Sequence, residues 1–162
     1  MANRDKFDVT LYSGKWFELA HYATFFQKNL NYNTTATYRV LKNGDIDVLN
    51  TTRVEGKLIT SHGIARPRGI KQFHVEFDAL DVAKFGGHPQ SPSNEPNYII
   101  RRIWRYDDNE YAFALVTNQE SDNLWVLSRE QFPSLEMYEK VMAYVIKHYD
   151  KDKLILTPHY RS

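Results

Sequence analysis

The chain has 162 residues, no cysteine, and 21 basic against 20 acidic side chains, for a formal net charge of +1. Disulfides, thiolate nucleophiles and thiolate metal sites are therefore excluded, and no net field recruits nucleic acid or an anionic membrane. With 42% hydrophobic and 14% aromatic residues, the composition is that of a folded chain rich in strand formers rather than a disordered one.

The N-terminus, MANRDKFDVT, lacks the apolar run and small-residue cleavage pattern of a signal peptide. No apolar stretch approaches the roughly 18 residues of a spanning helix. The chain reads as soluble, with cytoplasm favoured over secretion. Asn33-Thr34-Thr35 and Asn50-Thr51-Thr52 match the glycosylation pattern, but without an export signal they read as strand-edge threonines.

Ser13–Tyr22 (SGKWFELAHY) is the first strand. In strict alternation Trp16, Glu18, Ala20 and Tyr22 share one face, and Phe17, Leu19 and His21 the other. A loop with Phe25, Phe26 and Leu30 leads to the β-branched run Thr34–Leu41. Asn43-Gly44, a strong hairpin signal, turns into Asp45–Arg53, where Ile46, Val48 and Asn50 share a face. Glu55-Gly56 turns into Lys57–Arg66, in which Gly63 suggests a bulge or a close approach. Pro67-Arg68-Gly69 reads as the next turn. Lys71–Asp78 alternates with Phe73, Val75 and Phe77 on one face. Ala79–Pro96, rich in Gly and Pro, is a long irregular stretch of the kind that is usually functional or mobile. Strands follow at Asn97–Tyr106, Glu110–Thr117 and Asn123–Arg129.

The period then changes. Pro133 and Ser134 open a helix, and Leu135, Tyr138, Val141, Met142, Val145 and Tyr149 form one apolar stripe that docks on the body. Leu154–Leu156 is a short final strand. The reading is a single all-β domain over 1–162: an N-terminal segment (1–10), an eight-stranded antiparallel up-and-down barrel (13–129), a helix packed outside it (133–149) and a ninth strand (154–156). Closure removes the exposed edges of a meander. The connections at Lys42–Gly44, Pro67–Ile70 and Asp107–Asn109 are tight and share one end, so the barrel is pinched there and open at the other.

Gly14-x-Trp16 on the first strand, the eight-strand meander and Arg129 just before the helix together resemble the lipocalin family across nearly the whole chain. TATYRVLKNGDIDVLN (Thr35–Asn50), the run Tyr111–Val116 and LWVLSR ending at Arg129 are most similar to the bacterial lipocalin and apolipoprotein D branch. The resemblance implies that Gly14, Trp16 and Arg129 form a structural base, with Arg129 covering the Trp16 indole in a cation–π contact. It also implies that the cavity carries a small hydrophobic or amphiphilic ligand such as a fatty acid or lysophospholipid. Many bacterial members carry a lipidated cysteine and others have disulfides. This sequence has neither, so membrane anchoring is not carried over.

The expected ligand wall is Ala20, Tyr22, Tyr38, Val48, Val75, Phe77, Tyr98, Ile100, Phe113 and Trp125, with Phe25, Phe26 and Leu30 as an apolar lip. Arg102 shares the phase of Tyr98, Ile100 and Trp104. If that phase faces in, Arg102 pairs with the carboxylate or phosphate of an amphiphile; if it is reversed, Arg102 is a surface residue. Glu18 is either a buried acid or hydrogen-bonded near the base. Catalytic motifs are missing, so the expectation is a binding protein, not an enzyme, with no metal and no cofactor. Haem ligation by His74 or His62 is a minor reading, and a protein-interaction or self-associating module with a filled barrel is the competing class. The expected partners are a small ligand and peripherally a membrane surface, without nucleic acid, in a monomer or homodimer.

Overall fold

In a computed structural model of the chain, residues 6–22, 31–78 and 94–161 are described. Alternation of β-branched and aromatic residues with polar ones builds nine strands among the described residues. They are β1 (Gly14–Tyr22), β2 (Tyr32–Val40), β3 (Ile46–Val54), β4 (Lys57–Gly69), β5 (Gln72–Phe77), β6 (Tyr98–Arg105), β7 (Tyr111–Thr117), β8 (Leu124–Ser128) and β9 (Leu154–Leu156). Each strand from β2 to β7 pairs antiparallel with the next, β8 pairs with β1, and β1 pairs back onto β2. The last pairing closes eight strands into the expected up-and-down barrel. Phe25, Phe26 and Leu30, and most of Ala79–Pro96, lie outside the described residues.

Turn chemistry sets the tight end. After Leu41, the Asn43 side chain accepts from Asp45 N at 3.0 Å and Gly44 takes φ +91°, a left-handed conformation that glycine adopts without a Cβ penalty. At the fourth connection the expected turn over Pro67-Arg68-Gly69 moves on. β4 runs through Pro67 to Gly69, and the chain reverses at Ile70 and Lys71. Proline is tolerated there because β3 pairs with β4 only as far as Ala65, so the missing N–H of Pro67 faces no β3 acceptor. Gly63 is a close approach without a bulge: a Cβ there would lie 2.6 Å from Glu76 O and 2.8 Å from the Phe77 ring.

Helix α1 (Val9–Tyr12) lies in the segment expected to be merely N-terminal. Asp8 caps it, accepting from Thr10 N at 2.8 Å. Helix α2 (Leu135–His148) starts at Ser134, whose side chain accepts from Met137 N, and ends with Lys147 and His148 at its negative pole. Its buried stripe of Val141, Met142 and Val145 packs against Leu19, Leu115 and Val126 on the outer wall.

Two apolar clusters result among the described residues. The inner one fills the barrel around Trp16, Tyr38, Val48, Ile100, Val116 and Leu127. The outer one lies between the barrel and α2. Pairing of β1 with β2 covers only Gly14–Phe17. Farther along, Ala20–Tyr22 pair with β9 instead, so the C-terminal segment completes the wall beyond Phe17.

Candidate functional site

The closed end is built on the first strand. Trp16 is fully buried and donates from Nε1 to Tyr12 O at 2.8 Å. The Arg129 guanidinium lies 4.0 Å from the indole centroid. It donates to the carbonyls of Leu11 (2.6 Å), Ser13 (2.7 Å) and Lys15 (3.0 Å). Burial lowers the Arg129 pKa from its ordinary value, partly offset by the Tyr12 hydroxyl. Gly14 has φ +104°, and a Cβ there would come within 3.2 Å of Arg129 Nη1. The Gly-x-Trp spacing therefore leaves room for the arginine that covers the tryptophan.

Above this base three phenols form a chain. Tyr12 Oη lies 2.5 Å from Tyr98 Oη, which lies 2.8 Å from Tyr38 Oη. Burial raises the pKa of all three, with further rises from neighbouring phenols at Tyr12 and Tyr98, and from the Glu18 carboxylate at Tyr38. They stay neutral hydrogen-bonding groups across the ordinary pH range. The cavity they line with Ile46, Ala65, Phe73 and Val75 holds about 10 Å³, close to what one water needs.

Of the expected wall residues, Tyr38, Val48, Val75, Phe77, Tyr98, Ile100 and Trp125 belong to the inner cluster. Ala20, Tyr22 and Phe113 do not, and Arg102 takes the outward of its two expected placements; three irregularities in the ladders explain why. On β1 the register shifts between Glu18 and Ala20. The extra residue, Leu19, inverts the alternation, so Ala20 and Tyr22 turn outward under α2 and His21 turns inward opposite Trp125. Tyr22 there accepts from Asp150 N at 2.8 Å. On β6 the register shifts between Ile100 and Arg102. Arg102 therefore lies outside, stacked 4.4 Å over Tyr144 of α2 and 5.2 Å over Trp104. A third shift, where Trp104 pairs with Phe113 and Arg105 with Tyr111, leaves Ala112 and Phe113 both facing outward.

The inward turn of His21 assembles a polar group on the inner wall. Glu18 sits opposite Leu127 and His21 opposite Trp125, both members of the inner cluster. Thr157, just past β9, donates to Glu18 Oε2 at 2.7 Å. His21 Nδ1 is 3.1 Å from Glu18 Oε2 and 3.1 Å from Thr157 Oγ1. His159 Nε2 lies 2.6 Å from Glu18 O. Glu18 is thus a largely buried acid, hydrogen-bonded higher on the wall than the base. His21, Thr157 and Tyr12 carry no signal in sequence, because their positions depend on a bulge, a C-terminal strand and a short helix. Ile46 and Phe73 were legible as face-mates of Val48 and Val75.

Neither histidine weighed as a haem ligand faces the interior. His74, between inward Phe73 and Val75, is fully buried on the other face, with Nδ1 2.8 Å from Glu95 O and Nε2 3.3 Å from Glu76 Oε1. His62 lies on the outer surface, its Nε2 hydrogen-bonded to Asp47 and its Nδ1 3.7 Å from Asp78.

The model of the lipocalin-like domain matches residues 7–159. Temperature-induced lipocalin-1 of Arabidopsis thaliana is 30% identical over 153 residues, covering 93% of this chain and 78% of its own length. Outer membrane lipoprotein Blc of Escherichia coli is 28% identical over 156 residues, with 93% and 78% covered. Among solved structures, the major allergen Per a 4 from cockroaches superposes with a TM-score of 0.63 at 18% identity, covering 95% of this chain and 89% of that one.

Proposed function

Since the chain belongs to the lipocalin family, we propose that it binds a small hydrophobic or amphiphilic molecule in its barrel and carries or sequesters it, without catalysis. One observation carries this reading. The barrel is plugged at one end by Trp16 under Arg129, while Val48, Val75, Phe77, Ile100 and Trp125 turn an apolar wall inward. Burying a ligand's apolar surface there contributes roughly 25 cal/mol per Å² before association costs. Fatty acids and lysophospholipids are the first ligands to try.

The test is native mass spectrometry of the purified protein, with extraction and identification of any bound lipid. The expected result is a mass increment of lipid size, or uptake of a fatty acid or lysophospholipid after delipidation. A protein that is empty as purified and takes up neither would sink the carrier reading.

The small volume above the base, about 10 Å³, favours a second reading at that depth. In it the lower barrel is a filled core, and the protein acts through its surface as an interaction or self-associating module. Sedimentation of the delipidated protein separates the two. Concentration-dependent association without ligand uptake supports the module, and a ligand-binding species of constant mass supports the carrier.

A further inference from the structure

The inner wall carries a hydrogen-bond pattern that specifies a ligand group. Thr157 has one hydroxyl hydrogen, and it goes to Glu18 Oε2. Both atoms facing His21 Nδ1 are then acceptors, so the ring proton sits on Nδ1. In the neutral ring, Nε2 is left with a bare lone pair. Glu18 Oε1 and His21 Nε2 have no hydrogen-bond partner among the described residues. No described side chain keeps a polar atom both sealed and unpaired. These two atoms are therefore accessible, although the side chains that carry them are only 12% and 8% exposed.

Both are acceptors, and one belongs to a carboxylate. Arg102, which on its inward placement would counter an acidic ligand, is outside the barrel, and Arg129 is held at the base by three carbonyls. A ligand carboxylate at this height meets like charge and two acceptors. An ammonium or hydroxyl group meets partners for its hydrogens.

We propose that Glu18 Oε1 and His21 Nε2 form a donor-accepting subsite on the inner wall, which takes the protonated amine or the hydroxyl of an amphiphile in preference to a free carboxylate. The inference rests on the carrier reading and narrows it, moving the preferred ligand away from fatty acids. With a formal net charge of +1, the protein's overall field does not favour an amine, so a preference would report the site itself.

The test uses the full, delipidated chain and displacement of bound Nile red at neutral pH by dodecylamine, dodecanol, dodecane and dodecanoate. A charge-assisted hydrogen bond is worth about tenfold or more in affinity, so dodecylamine should bind about tenfold tighter than dodecanoate, with dodecanol between them. Glu18→Gln keeps an acceptor for Thr157 but removes the charge. It should collapse the amine-to-carboxylate ratio by about tenfold and leave dodecane within about a factor of two. Equal binding of amine and carboxylate to the unaltered protein would overturn the subsite, as would a ratio unchanged in Glu18→Gln. If the variant does not fold, the ratio in the unaltered protein decides alone. Displacement by dodecane and dodecanoate without an amine preference removes only the subsite. Failure of all four ligands removes the carrier reading with it.

Discussion

Gly14, Trp16 and Arg129 act as one unit. The glycine supplies a left-handed φ and leaves space for Nη1, the arginine bonds three carbonyls of the entering chain, and the indole lies under it. Trp16→Ala should cost about 3–5 kcal/mol. Gly14→Ala should cost about 1–3 kcal/mol from backbone strain, with the displaced guanidinium adding to it. Both are read by denaturant unfolding. On the outer surface, His62 has its pKa raised above the usual histidine value, chiefly by its hydrogen bond to Asp47. A raised folded value means that this pair stabilises the fold below about pH 6.5. The contribution is lost as pH rises through the folded pKa. The effect is small because His62 is 46% exposed. A histidine titration by NMR should find His62 above its ordinary value, and Asp47→Asn should bring it down; an unmoved midpoint would show that the pairing is not made.

At the scale of elements, bulges decide which side chains face the barrel interior. Leu19 on β1 and the shift after Ile100 on β6 exchange inside for outside over the rest of each strand. Tyr22→Ala should accordingly act as a core truncation under α2, costing about 3–5 kcal/mol, and leave the affinity of a barrel ligand unchanged. A variant of full stability with altered affinity would contradict this placement. The β5–β6 ladder is short, with two residue pairs. The Asn97 side chain extends it, accepting from Val75 N at 2.7 Å and donating to Val75 O at 2.9 Å. Asn97→Ala removes both bonds. It should cost about 1–3 kcal/mol and speed hydrogen exchange at the Val75 amide.

At the scale of the whole molecule, the C-terminal segment belongs to the barrel. β9 takes over β1 where β2 leaves it, Asn33 N bonds Pro158 O at 2.9 Å, and Thr157 places its hydroxyl on the inner wall. Thr157→Val should therefore lower stability by about 1–3 kcal/mol and also weaken any ligand held by Glu18. A ligand that binds only the folded protein adds about 2.7 kcal/mol at one hundred times its Kd. The midpoint of thermal unfolding should rise with ligand concentration, and a flat response would count against occupancy of the barrel.

Much of this was written locally. Strand period, the Asn43-Gly44 turn, the Ser134 cap and the apolar stripe of α2 are properties of neighbouring residues, and they determined an eight-stranded meander with an outer helix. The pairing of Trp16 with Arg129 was legible because β1 and β8 must adjoin in a closed barrel. Val48, Val75, Phe77 and Tyr98 were legible because no bulge separates them from their face-mates. Ala20, Tyr22 and Phe113 lie on the face opposite to the expected one, and Arg102 takes the outward of its two expected placements, because a single inserted residue reverses alternation, and its position is set by packing across the sheet. The group of Glu18, His21 and Thr157 joins residues up to 139 apart in the chain. No local pattern encodes that meeting; it exists only once β9 docks on β1.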